Sequence, residues 1–151
     1  MRQIGTTVLA SVLCFTAMSA YAETASEQAA KALVKKAIVQ IKKVGVDAAC
    51  KDFAAPKGGF IDGELYVFVQ DLNAKMICHA VNPKLNGKDL AELKDADGKY
   101  FNKAMVELVK TKGSGWVDYH WVNPTTGTIQ AKSSYVEGVE GNLVGVGIYK
   151  K

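Results

Sequence analysis

The sequence predicts an α+β domain in which helices pack against a five-stranded antiparallel sheet. Three observations predict this fold. A segment near the amino terminus has helical spacing of apolar residues, two pairs of alternating runs flank short turns, and one more alternating run ends the chain. A helical crossover separates the two strand pairs. Hydrophobic residues make up 48% of the chain and prolines number three, which suits one compact domain.

Residues 1–22 have the features of a secretory signal peptide. Arg2 gives a positive start, residues 4–17 form an apolar stretch too short to span a bilayer, and residues 20–22 read Ala-Tyr-Ala, a small-x-small cleavage site. We therefore expect residues 23–151 to form a periplasmic domain that does not insert into the membrane. An uncleaved anchor is the alternative.

The net charge of +4 is spread along the chain, with lysines interleaved among carboxylates. Proteins that bind nucleic acid or anionic membranes normally gather their basic residues on one face. We therefore expect neither nucleic acid nor a membrane surface as a partner.

Three helices are predicted. The first covers residues 25–46, and its apolar residues recur at helical spacing: Ala30, Leu33, Val34, Ala37, Ile38 and Ile41. Gly45 interrupts this pattern, so residues 46–53 form a second, short helix. Residues 99–112 form the third helix, which Gly113 ends. In the loop at 81–97 we expect one more helical fragment, around residues 90–93.

The first hairpin joins residues 64–70 to residues 75–80 across a four-residue loop. Counting back from that loop places Gln70 opposite Lys75. By the same count Tyr66 lies opposite His79.

The second hairpin spans residues 115–135 around an Asn-Pro-Thr-Thr-Gly turn. With residues 124–127 as the loop, Trp121 lies opposite Gln130 and Tyr119 lies opposite Lys132. Two aromatic rings and one ammonium group then share a face, which is the chemistry of a pocket for a small carboxylate. A slip of one residue would move Lys132 to the other face. The last strand covers residues 142–149.

Catalysis has little support in the sequence. The residue types of a hydrolase triad are present, as serines at 133 and 134, two histidines and Asp118. However, the sequence has no Gly-x-Ser-x-Gly motif to form a nucleophile elbow. The two histidines are not spaced as metal ligands. Cys78 and His79 do not form a haem-attachment motif, because no cysteine lies three residues before Cys78. We expect neither an enzyme nor a bound metal or cofactor.

Five segments together resemble the single Cache domain, a PAS-like extracytoplasmic sensor module. They are residues 59–69, 79–88, 97–99, 115–121 and 132–135, and they include Asn-Pro-Lys-Leu-Asn-Gly-Lys at 82–88 and Asp-Gly-Lys at 97–99. The resemblance implies a PAS-like sheet with a long N-terminal helix. It also implies the sensing of small metabolites, such as short carboxylates or amino acids, for chemoreceptors and kinases. The chain resembles a free-standing exported form, which would act with a separate membrane receptor or kinase.

The resemblance further implies that the ligand lies on the concave face of the sheet, under residues 81–97. The counted registers point Tyr119, Trp121, Lys132, Tyr66 and His79 towards it. Lys132 would pair with a carboxylate, Tyr119 would donate its hydroxyl, and Trp121 would close the apolar wall. His79 would add a neutral donor or, when protonated, a second positive charge. The alternative is an interaction protein that keeps the fold but fills the cavity with its own side chains.

Two cysteines remain after cleavage of the signal peptide. Cys78 is expected on the helix-covered face of the sheet, and Cys50 lies at the end of the helical region that covers it. The oxidising periplasm permits a disulfide between them, and two buried free thiols are the alternative.

Overall fold

The computed structural model describes residues 23–150. The predicted signal peptide, residues 1–22, lies outside this range. The helices are α1 (Ala25–Val44), α2 (Val46–Ala54) and α3 (Phe101–Lys112), with a 3-10 turn at Pro83–Leu85. The strands are β1 (Ile61–Asp62), β2 (Leu65–Asp71), β3 (Met76–His79), β4 (Ser114–Val122), β5 (Ile129–Val139) and β6 (Asn142–Tyr149).

The α+β class and the antiparallel sheet are confirmed, and the sheet has six strands rather than the predicted five. The strand order is β1-β2-β6-β5-β4, and β3 also pairs with β2. The additional strand is β1, whose two residues fold back onto the start of β2. Gly63 makes this turn possible because its φ of 58° lies in the left-handed region, which glycine adopts without a steric cost.

Helix α1 begins with a capping box. The Thr24 side chain accepts a hydrogen bond from the Glu27 backbone N–H, and the Glu27 carboxylate accepts one from the Thr24 backbone N–H. At the other end Gly45 ends the helix with a φ of 81°. Helix α1 therefore stops two residues before the predicted boundary. Its buried residues are Ala30, Val34, Ala37, Ile38 and Ile41, all of them predicted apolar positions.

The predicted helical fragment around residues 90–93 is wrong. The Asp89 carboxylate accepts a hydrogen bond from the Ala91 N–H, which closes a turn instead. The Leu90 N–H donates to the Ala74 carbonyl, so this segment is held against the loop between β2 and β3.

The predicted register of the first hairpin is also wrong. His79 pairs with Phe68 instead of Tyr66, and a bulge lies between Val69 and Gln70. The cause is local, because the Asp71 carboxylate accepts hydrogen bonds from two backbone N–H groups of the loop and tightens it. Gln70 pairs with Met76, one residue from the predicted partner, and beyond the bulge the error is two residues, so Tyr66 and His79 still lie on one face of the sheet.

The register of the second hairpin is confirmed. Trp121 pairs with Gln130 and Tyr119 pairs with Lys132. The Asn123 N–H donates to the Thr128 carbonyl at the mouth of the turn, at 2.9 Å. The two aromatic rings and the lysine therefore belong to the same face.

The sheet separates two layers. Helix α1 packs on β6 and β5, where the Lys31 ammonium lies 5.2 Å from the centre of the Tyr135 ring. Helix α3 covers the opposite face at β4, where Phe101 stacks on Tyr119. Cys50 of α2 and Cys78 of β3 are joined by a disulfide with a Cα–Cα distance of 5.9 Å.

Candidate ligand site

The five predicted site residues form one connected cluster on the face of the sheet that α3 covers. The Lys132 Nζ atom donates a hydrogen bond to the Tyr66 hydroxyl at 2.6 Å. The Tyr66 ring lies 4.8 Å from the His79 ring, and the Tyr119 ring lies 6.4 Å from the Trp121 ring. Lys132 Nζ lies 5.9 Å from the centre of the Tyr119 ring, which links the two pairs.

Lys132 is buried, with 1% of its surface exposed. Its ammonium group lies 4.1 Å from the centre of the Tyr66 ring and 5.0 Å from that of Tyr149. No carboxylate of residues 23–150 forms an ion pair with it. Burial lowers the pKa of Lys132 well below its ordinary value, and the carboxylate of Glu64 opposes this effect. A cation here lacks its counter-charge.

Two glycines of β6 provide the space in which the cluster lies. A methyl group on Gly147 would come within 2.1 Å of the Lys132 Cε atom and 2.5 Å of the Ser134 Oγ atom. One on Gly145 would come within 2.1 Å of the Phe68 ring. The alternation of Gly145 and Gly147 is visible in the sequence, but its role follows only from the sheet order, which places β6 between β5 and β2.

His79 is a neutral donor in this environment. Burial, together with the nearby Lys132, lowers the pKa of His79 to about 3. Its Nδ1 atom accepts a hydrogen bond from the Asn82 N–H at 3.1 Å, so the ring proton belongs on Nε2. Of the two expected states of His79, the geometry therefore favours the neutral one over a second positive charge.

The Tyr119 hydroxyl, which we expected to contact a ligand, lies 2.9 Å from the Ser134 Oγ atom. Burial raises the pKa of Tyr119, so the hydroxyl keeps its proton. It can donate one hydrogen bond and accept another, which leaves it able to serve both Ser134 and a ligand.

Tyr149 is a member of the cluster that sequence reasoning missed. Its hydroxyl donates to the Val122 carbonyl at 2.8 Å and lies 3.3 Å from the Tyr66 hydroxyl. Burial raises the pKa of Tyr149 to about 12. The sequence does indicate the position of Tyr149, because residues two apart in a strand lie on the same face, and Tyr149 is two residues from Gly147.

A small cavity lies between the sheet and α3. Its volume is about 20 Å³, and its walls include Phe68, His79, Phe101, Tyr119 and Trp121. This is room for a single water molecule.

A wider cleft of about 490 Å³ opens beside the cavity, between the segment that follows β3 and the tip of the second hairpin. His79 and Trp121 line both spaces and form the wall between them.

A second polar cluster lies outside this site. One carboxylate oxygen each of Asp95 and Asp97 and one ring nitrogen of His120, all atoms of a type that can coordinate a metal, lie within 4.8 Å of one another. The Asp95 carboxylate accepts hydrogen bonds from the backbone N–H groups of Asp97, Lys99 and His120. These bonds fasten the segment before α3 to strand β4.

Residues 6–151 match the family model described as Single Cache domain 2. The chain belongs to the single Cache domain family. Cache domains are extracytoplasmic sensor modules, and the family is generally non-enzymatic. Within residues 23–150, no helix of this Cache domain combines the length and apolar character that a membrane span requires.

Two curated relatives are signalling proteins. The Cache domain is 37% identical over 90 residues to the methyl-accepting chemotaxis protein McpP of Pseudomonas putida, a match that covers 58% of this chain and 16% of that protein. It is 34% identical over 88 residues to the sensor histidine kinase MctS of Rhizobium johnstonii, covering 56% of this chain and 18% of that protein. The matched part is thus less than a fifth of either relative.

Two solved structures are similar over most of their length. One is a Cache chemosensory domain described for its carboxylic acid recognition. It has 29% identity and a TM-score of 0.74, and the match covers 84% of this chain and 95% of that one. The other is a periplasmic sensor domain of a chemotaxis protein. It has 32% identity and a TM-score of 0.66, and the match covers 82% of this chain and 90% of that one.

Proposed function

We propose that this Cache domain binds a short carboxylate in the periplasm and acts with a membrane receptor or sensor kinase. The observation that carries the proposal is the buried ammonium group of Lys132, which lacks an acidic partner within the described chain. A cation removed from water is costly unless an anion compensates it. A carboxylate ligand would supply that anion.

The groups around Lys132 suit such a ligand. The Lys132 ammonium group offers a charge-assisted hydrogen bond to a carboxylate oxygen, and the Nε2 proton of His79 offers a second one. The rings of Tyr119 and Trp121 exclude water from the rest of the ligand, which strengthens the charged interactions. Support from the comparisons comes from the similar chemosensory domain described for carboxylic acid recognition.

Binding requires the site to open. The cavity of about 20 Å³ does not hold even acetate, whereas the adjoining cleft of about 490 Å³ holds a small ligand easily. Trp121 stands between the two spaces and is only half-buried, so we propose that rotation of its side chain joins them.

The second candidate function is that of an interaction protein without a ligand. The small volume of the cavity favours it, because the site's own side chains occupy most of the space. In that case the Cache fold would serve only as a surface for a partner protein.

Thermal unfolding in the presence of candidate ligands separates the two functions. A ligand that binds only the folded protein raises the midpoint temperature. We expect at least one acid to do so in a panel of acetate, propionate, pyruvate, lactate, succinate, glycine and alanine, with sodium chloride as the ionic control. A flat response across the panel would favour the interaction protein.

The Lys132→Met variant tests the site itself. We expect it to fold and to lose the ligand-induced shift, whereas Lys110→Met, at an exposed position of α3, keeps the shift. Unchanged affinity in Lys132→Met would place the anion elsewhere.

Export remains a separate proposal. We propose that residues 1–22 are removed, so that the mature protein begins at Glu23. The intact mass of the protein recovered from the periplasm tests this, and a mass that retains residues 1–22 would contradict it.

A further inference from the structure

Two hydrogen-bonded side-chain amides belong to the wall of the small cavity. Gln70 is buried, and its Nε2 atom donates to the Oδ1 atom of Asn102. The Nδ2 atom of Asn102 donates in turn to the Leu90 carbonyl, at 3.2 Å. A carbonyl group can only accept, so Leu90 fixes the orientation of Asn102, and Asn102 fixes that of Gln70.

One oxygen of these two amide groups has no hydrogen-bond partner among the described residues. The Oε1 atom of Gln70 is buried and makes no hydrogen bond with any group of the described residues. Buried acceptors are nearly always satisfied, and leaving one unpaired costs about 1–3 kcal/mol. Turning the Gln70 amide over would not help, because its oxygen would then face the oxygen of Asn102.

Gln70 and Asn102 belong to the wall of the same cavity as Phe68 and Tyr119, and the rings of these two residues each lie 5.9 Å from the Lys132 ammonium group. The cavity wall thus contains an unpaired neutral acceptor, and two of its rings lie near the lysine ammonium group. A ligand group that enters the cavity either pairs with the Gln70 acceptor or leaves it buried without a partner.

We propose that Gln70 reads a hydrogen-bond donor on the ligand, so that the preferred ligands are short hydroxycarboxylates. This rests on the proposed function, in which Lys132 holds the carboxylate. An alkyl group in the cavity leaves Gln70 Oε1 unpaired, whereas a hydroxyl group donates the missing hydrogen bond. Asn102 does not touch the ligand in this proposal, and it is a positioning residue for Gln70.

A hydroxyl donor fits better than an ammonium group. An ammonium group carries three protons and a full charge, and it needs several acceptors or a carboxylate. The cavity-lining residues include no aspartate or glutamate, and the Nδ1 atom of His79 already has a partner. The site therefore disfavours amino acids relative to hydroxy acids of the same length.

Isothermal titration calorimetry with matched acids tests the proposal. The probes are propionate, lactate and 3-hydroxypropionate, then butyrate with 3- and 4-hydroxybutyrate, then alanine and β-alanine. We expect one hydroxy acid to bind roughly tenfold more tightly than its parent acid. In Gln70→Met, which removes the acceptor but keeps the side-chain volume, the hydroxy acid should lose this advantage while the parent acid keeps its affinity.

The outcomes are distinct. If every hydroxy acid binds no better than its parent, the inference is overturned and the carboxylate function stands. A preference that survives in Gln70→Met, or an amino acid as the tightest ligand, overturns the inference as well. If no acid binds, the proposed function itself fails. Even where Gln70→Met does not fold, the absence of a hydroxy-acid preference in the unaltered protein overturns the inference.

Discussion

The side chain of Lys132 lies across Gly147, and an added Cβ atom there would meet the lysine Cε atom at 2.1 Å. Gly147 belongs to β6, which separates the lysine on β5 from Tyr66 on β2. Only a strand without a side chain at this point lets the lysine cross and donate to the Tyr66 hydroxyl. The glycine is therefore part of the site, although it offers no functional group.

Gly147→Ala should displace the Lys132 ammonium group from Tyr66. We expect a loss of carboxylate affinity of roughly tenfold or more, because the anion would lose a charge-assisted hydrogen bond. Gly138→Ala on β5 is the matched control, since its new methyl group would meet the side chain of Val109 at 2.9 Å. Equal affinity in Gly147→Ala and the unaltered protein would show that Lys132 does not need this path.

The second hairpin shows why part of the fold could be read from the sequence. Its turn is closed by Asn123, whose Oδ1 atom accepts a hydrogen bond from the Thr125 N–H at 2.9 Å. This is local turn chemistry, and the register of the strands follows from it by counting. The first hairpin departs from the same count because hydrogen bonds to Asp71 tighten its loop, in which Ala74 takes a left-handed φ of 65°. A non-glycine residue rarely adopts this conformation, so the sequence does not predict it.

The site could be predicted in part for a similar reason. Alternation along the strands placed Tyr66, Tyr119 and Lys132 on one face, because side-chain direction in a strand is a local property. The contact of Lys132 with Tyr66 depends on strand order, which no short segment encodes. The orientation of the Gln70 amide depends on Asn102 of α3, so its unpaired oxygen could not be predicted from the sequence either.

Lys132→Met should stabilise the unliganded protein. Burial lowers the pKa of Lys132 in the folded state, so the unfolded state binds more protons between that lowered pKa and the ordinary value of about 10.4. The free energy of unfolding of the unaltered protein then rises with pH across this interval. Replacing the amine with an apolar side chain removes the cost of burying it and should raise the free energy of unfolding by about 1 kcal/mol or more at about pH 6, where the unfolded state binds the proton.

Urea unfolding of both proteins at about pH 6 and about pH 10 measures this difference. We expect the advantage of Lys132→Met to shrink as the pH rises. A variant that is less stable than the unaltered protein at the lower pH would mean that the folded protein stabilises the charged lysine, contrary to this prediction.

The disulfide between Cys50 and Cys78 should stabilise the domain by about 2–4 kcal/mol. Cys78 immediately precedes His79, so the bond also anchors the end of β3 at the site. In Cys50→Ala/Cys78→Ala we expect a lower free energy of unfolding and weaker carboxylate binding. Finding two free thiols in the denatured, unreduced protein would refute the bond.

Tryptophan fluorescence should report the opening of the site. The chain has two tryptophans, Trp116 and Trp121, so a Trp116→Phe variant leaves Trp121 as the sole emitter. Because Trp121 separates the cavity from the cleft, ligand binding should change its emission wavelength. In Trp121→Phe, where Trp116 is the emitter, we expect little change. If Trp121 emission stays constant at saturating ligand, the ligand does not pass this side chain.

We propose above that the ligand supplies the counter-charge of Lys132. Nuclear magnetic resonance titration of the Lys132 side chain, with and without a saturating carboxylate, measures this pairing. We predict that the lowered pKa of Lys132 in the unliganded protein rises when the carboxylate binds, because a nearby anion favours the charged amine. A pKa of Lys132 that is the same in both states would show that the ligand does not pair with this amine.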